Sequence, residues 1–359
     1  MKIFPMCAGK SARMKGWYFM ANLTEKENLL RMFRGEMPEW IPRYTIGPQR
    51  NAKATPAVGG VGPLFLNQHR INGGGKDIWG VEYITSREAA GGLLPKTWDF
   101  LLDDITKWHD VIKAPSLEGF DWERLCREDL ERCGVDRTKT ALEMNVGTGY
   151  FQPLMAFMGF TEGLCALIEE PEECQALFEY LSDFYCTVIE NTIDYYKPDI
   201  FDLADDTAAW GAPFVSHQMF KDFFVPMYKR EIDYAKERGI PVMYHNCGKC
   251  ETFIDDMVDI GINGWNPAQV CNDLDAIQAK YGRDLMLCGC WDALKVVGEG
   301  LSDQDIYDYL ESVANARAKN GGFCFLATIL IPDENDTRML HVNDVVSDAI
   351  IDIGHKFYK

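Results

Sequence analysis

From Pro198 the sequence alternates short apolar runs with longer amphipathic ones. Pro198–Asp206 (PDIFDLADD) leads into His217–Gly239 (HQMFKDFFVPMYKREIDYAKERG), and Pro241–Cys247 (PVMYHNC) leads into Glu251–Gly261 (ETFIDDMVDIG). The first member of each pair has the length and composition of a buried strand, the second those of a helix, and their repetition predicts parallel β/α units. Two more units follow: Ile262–Pro267 before Asp273–Gly282, and Asp284–Cys290 before Ser302–Gly321. Gly321–Thr328 (GGFCFLAT) reads as a further strand, and Val342–Lys359 closes the chain as a helix.

Working backwards, Ala141–Tyr150 (ALEMNVGTGY) reads as a strand, and Leu154–Glu170 and Glu172–Tyr196 as two long helices separated by Pro171. Residues 48–80, with GGVG and GGG, show little periodicity and read as a long functional loop or lid. Neither glycine cluster has the strand-to-helix context of a phosphate-binding loop. No domain linker is visible. The economical account is an α/β protein built as a single (β/α)8 TIM barrel over 23–359, after an extension at 1–22. That extension lacks the apolar core and cleavage site of a signal peptide. Thr24 and Glu27 beyond it form a capping-box pattern that starts a helix.

The chain has 359 residues and a formal charge of −19, which argues against a nucleic-acid or anionic-membrane surface. No run of apolar residues is long enough to span a membrane. Twelve cysteines in so large a chain are not needed as staples, so a reducing cytoplasm, that of an anaerobe, is the expected compartment.

In a barrel the active-site groups belong at the carboxyl ends of the strands. Those ends offer Asn145 and Tyr150, Asp205 and Asp206, His245 and Cys247, Asn266, and Cys288 and Cys290. Residues two apart on a strand share a face, so His245 and Cys247 can reach one ion together. Cys250 falls where the next loop turns to helix. Thiolate and imidazole donors suit zinc better than calcium or magnesium. Buried free cysteine is nevertheless commonplace, and Cys126, Cys133, Cys165, Cys174 and Cys186 lie in helical stretches.

The order of these signals resembles the uroporphyrinogen decarboxylase superfamily, through RMFRGEMPEWIPRY (31–44), MGFTEGLCALIEEPEE (158–173), the strands ending ADD (204–206) and HNCG (245–248), GCWD (289–292) and GGF (321–323). The superfamily's decarboxylases carry an arginine-rich segment and a histidine-containing motif where this chain has PRYTIGPQR (42–50) and LATILIPDE (326–334). The corrinoid-dependent methyltransferase branch fits better. Its coenzyme M-type members bind zinc through a His-x-Cys pair, which His245 and Cys247 reproduce, and a distant cysteine, for which Cys324 has the spacing. A second pattern, seen in methyltransferases that demethylate phenyl methyl ethers, is an aspartate, 27 residues, a cysteine, 39 residues and a cysteine; Asp222, Cys250 and Cys290 match it.

The resemblance implies zinc, and cobalamin carried by a partner corrinoid protein. It implies a small aromatic methyl ether that gives its methyl group to cob(I)alamin. The alternatives are transfer from methylcobalamin to a thiol, or a metal-free decarboxylase-like enzyme. Asp205, Asp206 and His245 are the expected acid, base or orienting groups; Asp205 and Asp206 can equally cap a segment. Asn145, Tyr150, Phe151, Trp210, Met243 and Trp291 are the expected substrate-binding side chains, aromatic and sulfur groups that enclose a ring.

Overall fold

The structure, a computed structural model, describes residues 23–45, 54–86, 92–147, 149–298, 300–327, 329, 331 and 335–358. The expected extension at 1–22 therefore lies outside the described residues.

The strands in chain order are β1 (Arg43–Tyr44), β2 (Val58–Val61), β3 (Gly75–Lys76), β4 (Glu82–Thr85), β5 (Leu93–Pro95), β6 (Ala141–Asn145), β7 (Ile200–Ala204), β8 (Val242–His245), β9 (Gly264–Ala268), β10 (Met286–Gly289) and β11 (Phe323–Leu326). Eight of them pair in parallel in the order β2-β6-β7-β8-β9-β10-β11-β1, giving the (β/α)8 barrel. β3, β4 and β5 form a small antiparallel sheet inserted after β2.

Period-two alternation sorts the strand residues into two cores. Leu142, Met144, Leu203, Tyr244 and Leu287 face outward into the helix layer. Ala141, Ile200, Met243, Met286, Cys288 and Cys324 face inward, where Leu29 and Met32 of the helix Glu25–Phe33 plug the amino end of the barrel. Thr24 caps that helix, its hydroxyl accepting from the Glu27 amide at 3.1 Å, while the Glu27 side chain pairs with Arg34 instead of completing a capping box. Two residues further along β6, β7 and β8 the inward positions are polar: Glu143, Asp202 and His245. The barrel is thus apolar at its base and polar toward its mouth.

Three local expectations are corrected. The GGVG stretch is not loop: Val58–Val61 is barrel strand β2, and Leu64–Ile71 is a helix after it. Glycine hides such a strand because it supplies no side chain to alternate. The helix expected over 154–170 breaks at Gly159 into Phe151–Met158 and Phe160–Glu169, which meet at a bend of 113°. Gly159 has φ +85°, and a Cβ there would lie 2.7 Å from the Phe100 ring, so only glycine fits the corner. The helix expected over 217–239 contains a π segment, Phe220–Phe224, ahead of Pro226, whose missing N–H interrupts the regular ladder. No single helix among the described residues is long and apolar enough to cross a membrane.

Candidate metal centre

His245 ends β8 and pairs in register with Asn266 on β9 and Ala204 on β7. The Asn266 side-chain oxygen lies 2.6 Å from His245 Nδ1. An amide oxygen only accepts, so Nδ1 carries the proton and Nε2 presents a lone pair. That nitrogen stands 3.7 Å from Cys247 Sγ and 3.8 Å from Asp206 Oδ1. The three ligand atoms of Asp206, His245 and Cys247 all lie within 4.8 Å of one another.

Backbone geometry holds the cluster. Asp206 Oδ1 accepts from the Cys247 amide at 2.7 Å, and its Oδ2 accepts from the Gln152 side chain at 3.3 Å. Gly248, with φ +87°, lets the chain after Cys247 pass under the Ala208 carbonyl, which a Cβ would meet at 2.5 Å. Burial, and then Asp206 beside it, push the Cys247 thiol well above its ordinary range. As a neutral thiol Cys247 can donate to the Asp206 carboxylate; as a thiolate it would repel that carboxylate, and a divalent ion bound among the three would remove the repulsion. One nitrogen, one sulfur and one oxygen donor with an open side form a set that fits a zinc ion in a catalytic site. The imidazole is oriented by Asn266, as metal-bound histidines are.

The other expected ligands are not brought to this cluster. Asp222 is exposed on the outer π segment and accepts from Gln218 at 2.7 Å. Cys250 is buried behind the loop, its thiol directed to the Asn246 carbonyl at 3.5 Å. Cys290 packs into the outer core, and burial pushes its thiol up to about 12. Cys288 and Cys324 lie together in the inner apolar plug.

The expected catalytic aspartates separate in the same way. Asp205 is fully buried and accepts from the amides of Tyr150, Phe151 and Gln152 and from the Tyr228 hydroxyl, at 2.7 to 3.0 Å. It caps the helix Phe151–Met158, while Asp206 alone faces His245. Among the expected substrate-binding residues, Asn145 faces inward and donates to Asp202 at 2.6 Å. Tyr150 is buried, with its hydroxyl on Glu231, and Phe151 stacks on Phe214. Met243 belongs to the inner plug, and Trp291 donates to the Leu326 carbonyl at 2.8 Å. Trp210 is 47% exposed on the loop after β7. Sequence reading passed over Gln152, Glu143 and Asp202. The last two were visible as charges in the strand runs ALEMN and IFDLA, at the parity of inward-facing Asn145.

Gln152 also lines a cavity of about 90 Å³ between the inserted sheet and the start of its own helix, walled by Trp79, Tyr83 and Phe157 with His69 and Arg70. An aromatic-walled space thus adjoins the ligand cluster through one side chain.

The profile of the Uroporphyrinogen decarboxylase (URO-D) family matches residues 151–326, the span that carries Asp206, His245 and Cys247. Over that span the chain is similar to the uroporphyrinogen decarboxylase family. Among solved structures it is similar to a methyltransferase from Methanosarcina mazei, at 13% identity and a TM-score of 0.57, over 94% of this chain and 100% of that one. That likeness is one of fold. A likeness to the YdjI aldolase from Escherichia coli K12, at 10% identity over 67% of this chain and 75% of that one, has a TM-score of 0.26, too low to bear on the site. No curated protein sequence matches the chain closely.

Proposed function

We propose that this chain is a zinc-dependent methyltransferase that takes the methyl group of an aryl methyl ether and passes it to cob(I)alamin carried by a corrinoid protein. The observation that carries the reading is the Asp206, His245 and Cys247 cluster at the mouth of the barrel. Zinc held there supplies Lewis acidity beside the reacting oxygen, whose departure as phenoxide is what makes such ethers inert. The chain's own residues do the rest. Asn266 fixes the imidazole, and Gln152 and the Cys247 amide fix Asp206. The aromatic cavity beside Gln152 offers the ring a wall away from water.

The partner reading draws support from the rim. Trp210, Val270 and Leu294 are exposed large apolar side chains, and each lies in a segment that follows a barrel strand, while exposed Trp98 follows β5 of the inserted sheet. Apolar surface gathered around a reactive mouth suits a protein that delivers its cofactor there.

One observation favours a second reading: the ligands that converge include the His-x-Cys pair, while Asp222, Cys250 and Cys290 stay apart. A thiol would then accept methyl from methylcobalamin. The experiment is anaerobic. Zinc-loaded protein is mixed with candidate corrinoid partners and a panel of methoxylated aromatics, and methylcobalamin is followed by absorption. Formation of methylcobalamin and a phenol supports the ether reading. No reaction with any ether, together with demethylation of methylcobalamin by a thiol, replaces it with the second.

A further inference from the structure

The cavity beside Gln152 carries polar groups that the reading above leaves unused. It lies over the carboxyl ends of two paired strands: Val146 and Gly147, just after β6, line one side, and Leu66, His69 and Arg70 of the helix that follows β2 line another. His69 is 7% exposed, and its Nδ1 is buried without a hydrogen-bond partner. Its ring rests against Tyr83, 4.9 Å between centroids. Burial, and then the Arg70 charge, lower the imidazole below its ordinary value, so the ring is neutral and carries one N–H. Nδ1 is sealed from water and faces no acceptor, where an N–H would be stranded; the proton is better placed on Nε2.

Arg70 is exposed, and no described residue forms an ion pair or hydrogen bond with its guanidinium. Among the described residues it is the one cation that lines the cavity, and Asp77 is the one acid. Asp77 Oδ1 accepts from the Trp79 and Val81 amides at 2.9 Å. Burial raises this carboxyl to about 6, so it takes up a proton readily when a second carboxylate approaches. Burial also keeps Tyr83 and Tyr185 protonated.

Size decides how a ligand can use these groups. The cavity measures about 90 Å³, against about 150 Å³ for one that holds a whole benzene ring. It therefore admits a ring's substituent and near edge, and the rest of the ring lies outside. Two donors, one of them cationic, between aromatic walls match a carboxylate on a flat ring. Gln152 joins this place to the metal centre: its side chain lines the cavity and donates to Asp206 at 3.3 Å.

We propose that His69 and Arg70 form a carboxylate subsite, and that the methyl donor is a methoxylated aromatic acid whose carboxylate enters the cavity while its methoxy group points to the Asp206, His245 and Cys247 cluster. The donor class rests on the ether reading; the subsite does not.

The test compares 3- and 4-methoxybenzoate with the matching neutral benzamides, each titrated calorimetrically into the full-length protein. One of the acids should bind roughly 10- to 100-fold more tightly than its amide, and Arg70→Gln should remove that preference while changing the amide's affinity little. His69→Phe should weaken acid and amide alike, because each offers the imidazole an acceptor oxygen; unchanged affinity for both would remove His69 from the subsite. No preference for either acid in the unaltered protein, or a preference that survives Arg70→Gln, overturns the proposal. Acid binding that depends on Arg70, with no methyl transferred from any ether, keeps the subsite and overturns the ether reading. Transfer from uncharged ethers as fast as from methoxybenzoates, without any preference for the acids in binding, overturns the subsite and keeps the ether reading.

Discussion

Asn266 decides which nitrogen of His245 is free, and so whether the cluster can hold a metal at all. Removing its oxygen in Asn266→Ala should lower zinc affinity roughly 10- to 100-fold, measured by competition with a chromogenic chelator, with little effect on folding. Unchanged affinity would mean that the imidazole is oriented by something else. The buried carboxyls set a pH dependence. Glu143 titrates in the fold above its ordinary 4.5, so its contribution to stability is fully present below that pH and is lost as pH rises through the folded value. Metal-free protein should therefore lose stability as pH rises from about 5, and Glu143→Gln should flatten that slope in urea titrations. At this scale the sequence was partly legible. His245 and Cys247 were readable as one face because strand geometry fixes residues two apart. Asp206 joins them only through the Ala204 to His245 register, which no spacing along the chain reveals. The Asp222, Cys250 and Cys290 spacing is linear information of the same kind, and it carries no record of which way each side chain points.

The junction of β7 with the helix Phe151–Met158 is what brings Asp206 into place. Asp205 ties three amides at that helix's start, and the Tyr228 hydroxyl, to the strand end. Asp205→Ala leaves three buried donors and the part-buried Gln152 amide unpaired and should cost about 3 kcal/mol or more, read from urea unfolding. Asp206→Ala should cost far less stability while removing zinc, since Asp206 is half-exposed and its partners reach water. Equal stability losses would show that the two aspartates do not divide the work in this way. Strands from β6 onward were legible because Val, Ile, Leu and Phe runs alternate with amphipathic helices. β1 is two residues long and β2 is half glycine, so neither leaves a periodic trace. The Gly159 corner was hidden because apolar residues continue on both sides of it.

For the whole molecule, apolar side chains plug the base and polar ones line the upper interior, and Trp210, Val270 and Leu294 stand exposed in segments that follow barrel strands. Replacing Trp210 and Leu294 together by alanine should raise KM for a corrinoid protein several-fold while leaving the rate with free cob(I)alamin nearly unchanged, because only docking is lost. A parallel fall with free cofactor would place these side chains in the chemistry instead. The fold class was readable from the repeat of β/α units; the composition of the mouth was not, since it assembles from five or more separate loops. The most direct measurement is zinc analysis with X-ray absorption at the zinc edge on anaerobically purified protein, alongside Cys247→Ser, Cys250→Ser and Cys290→Ser. The account predicts about one zinc per chain with a single sulfur among nitrogen and oxygen neighbours, lost in Cys247→Ser and kept in the other two. Two sulfur neighbours that survive Cys247→Ser, or no zinc even after metal addition, would contradict it.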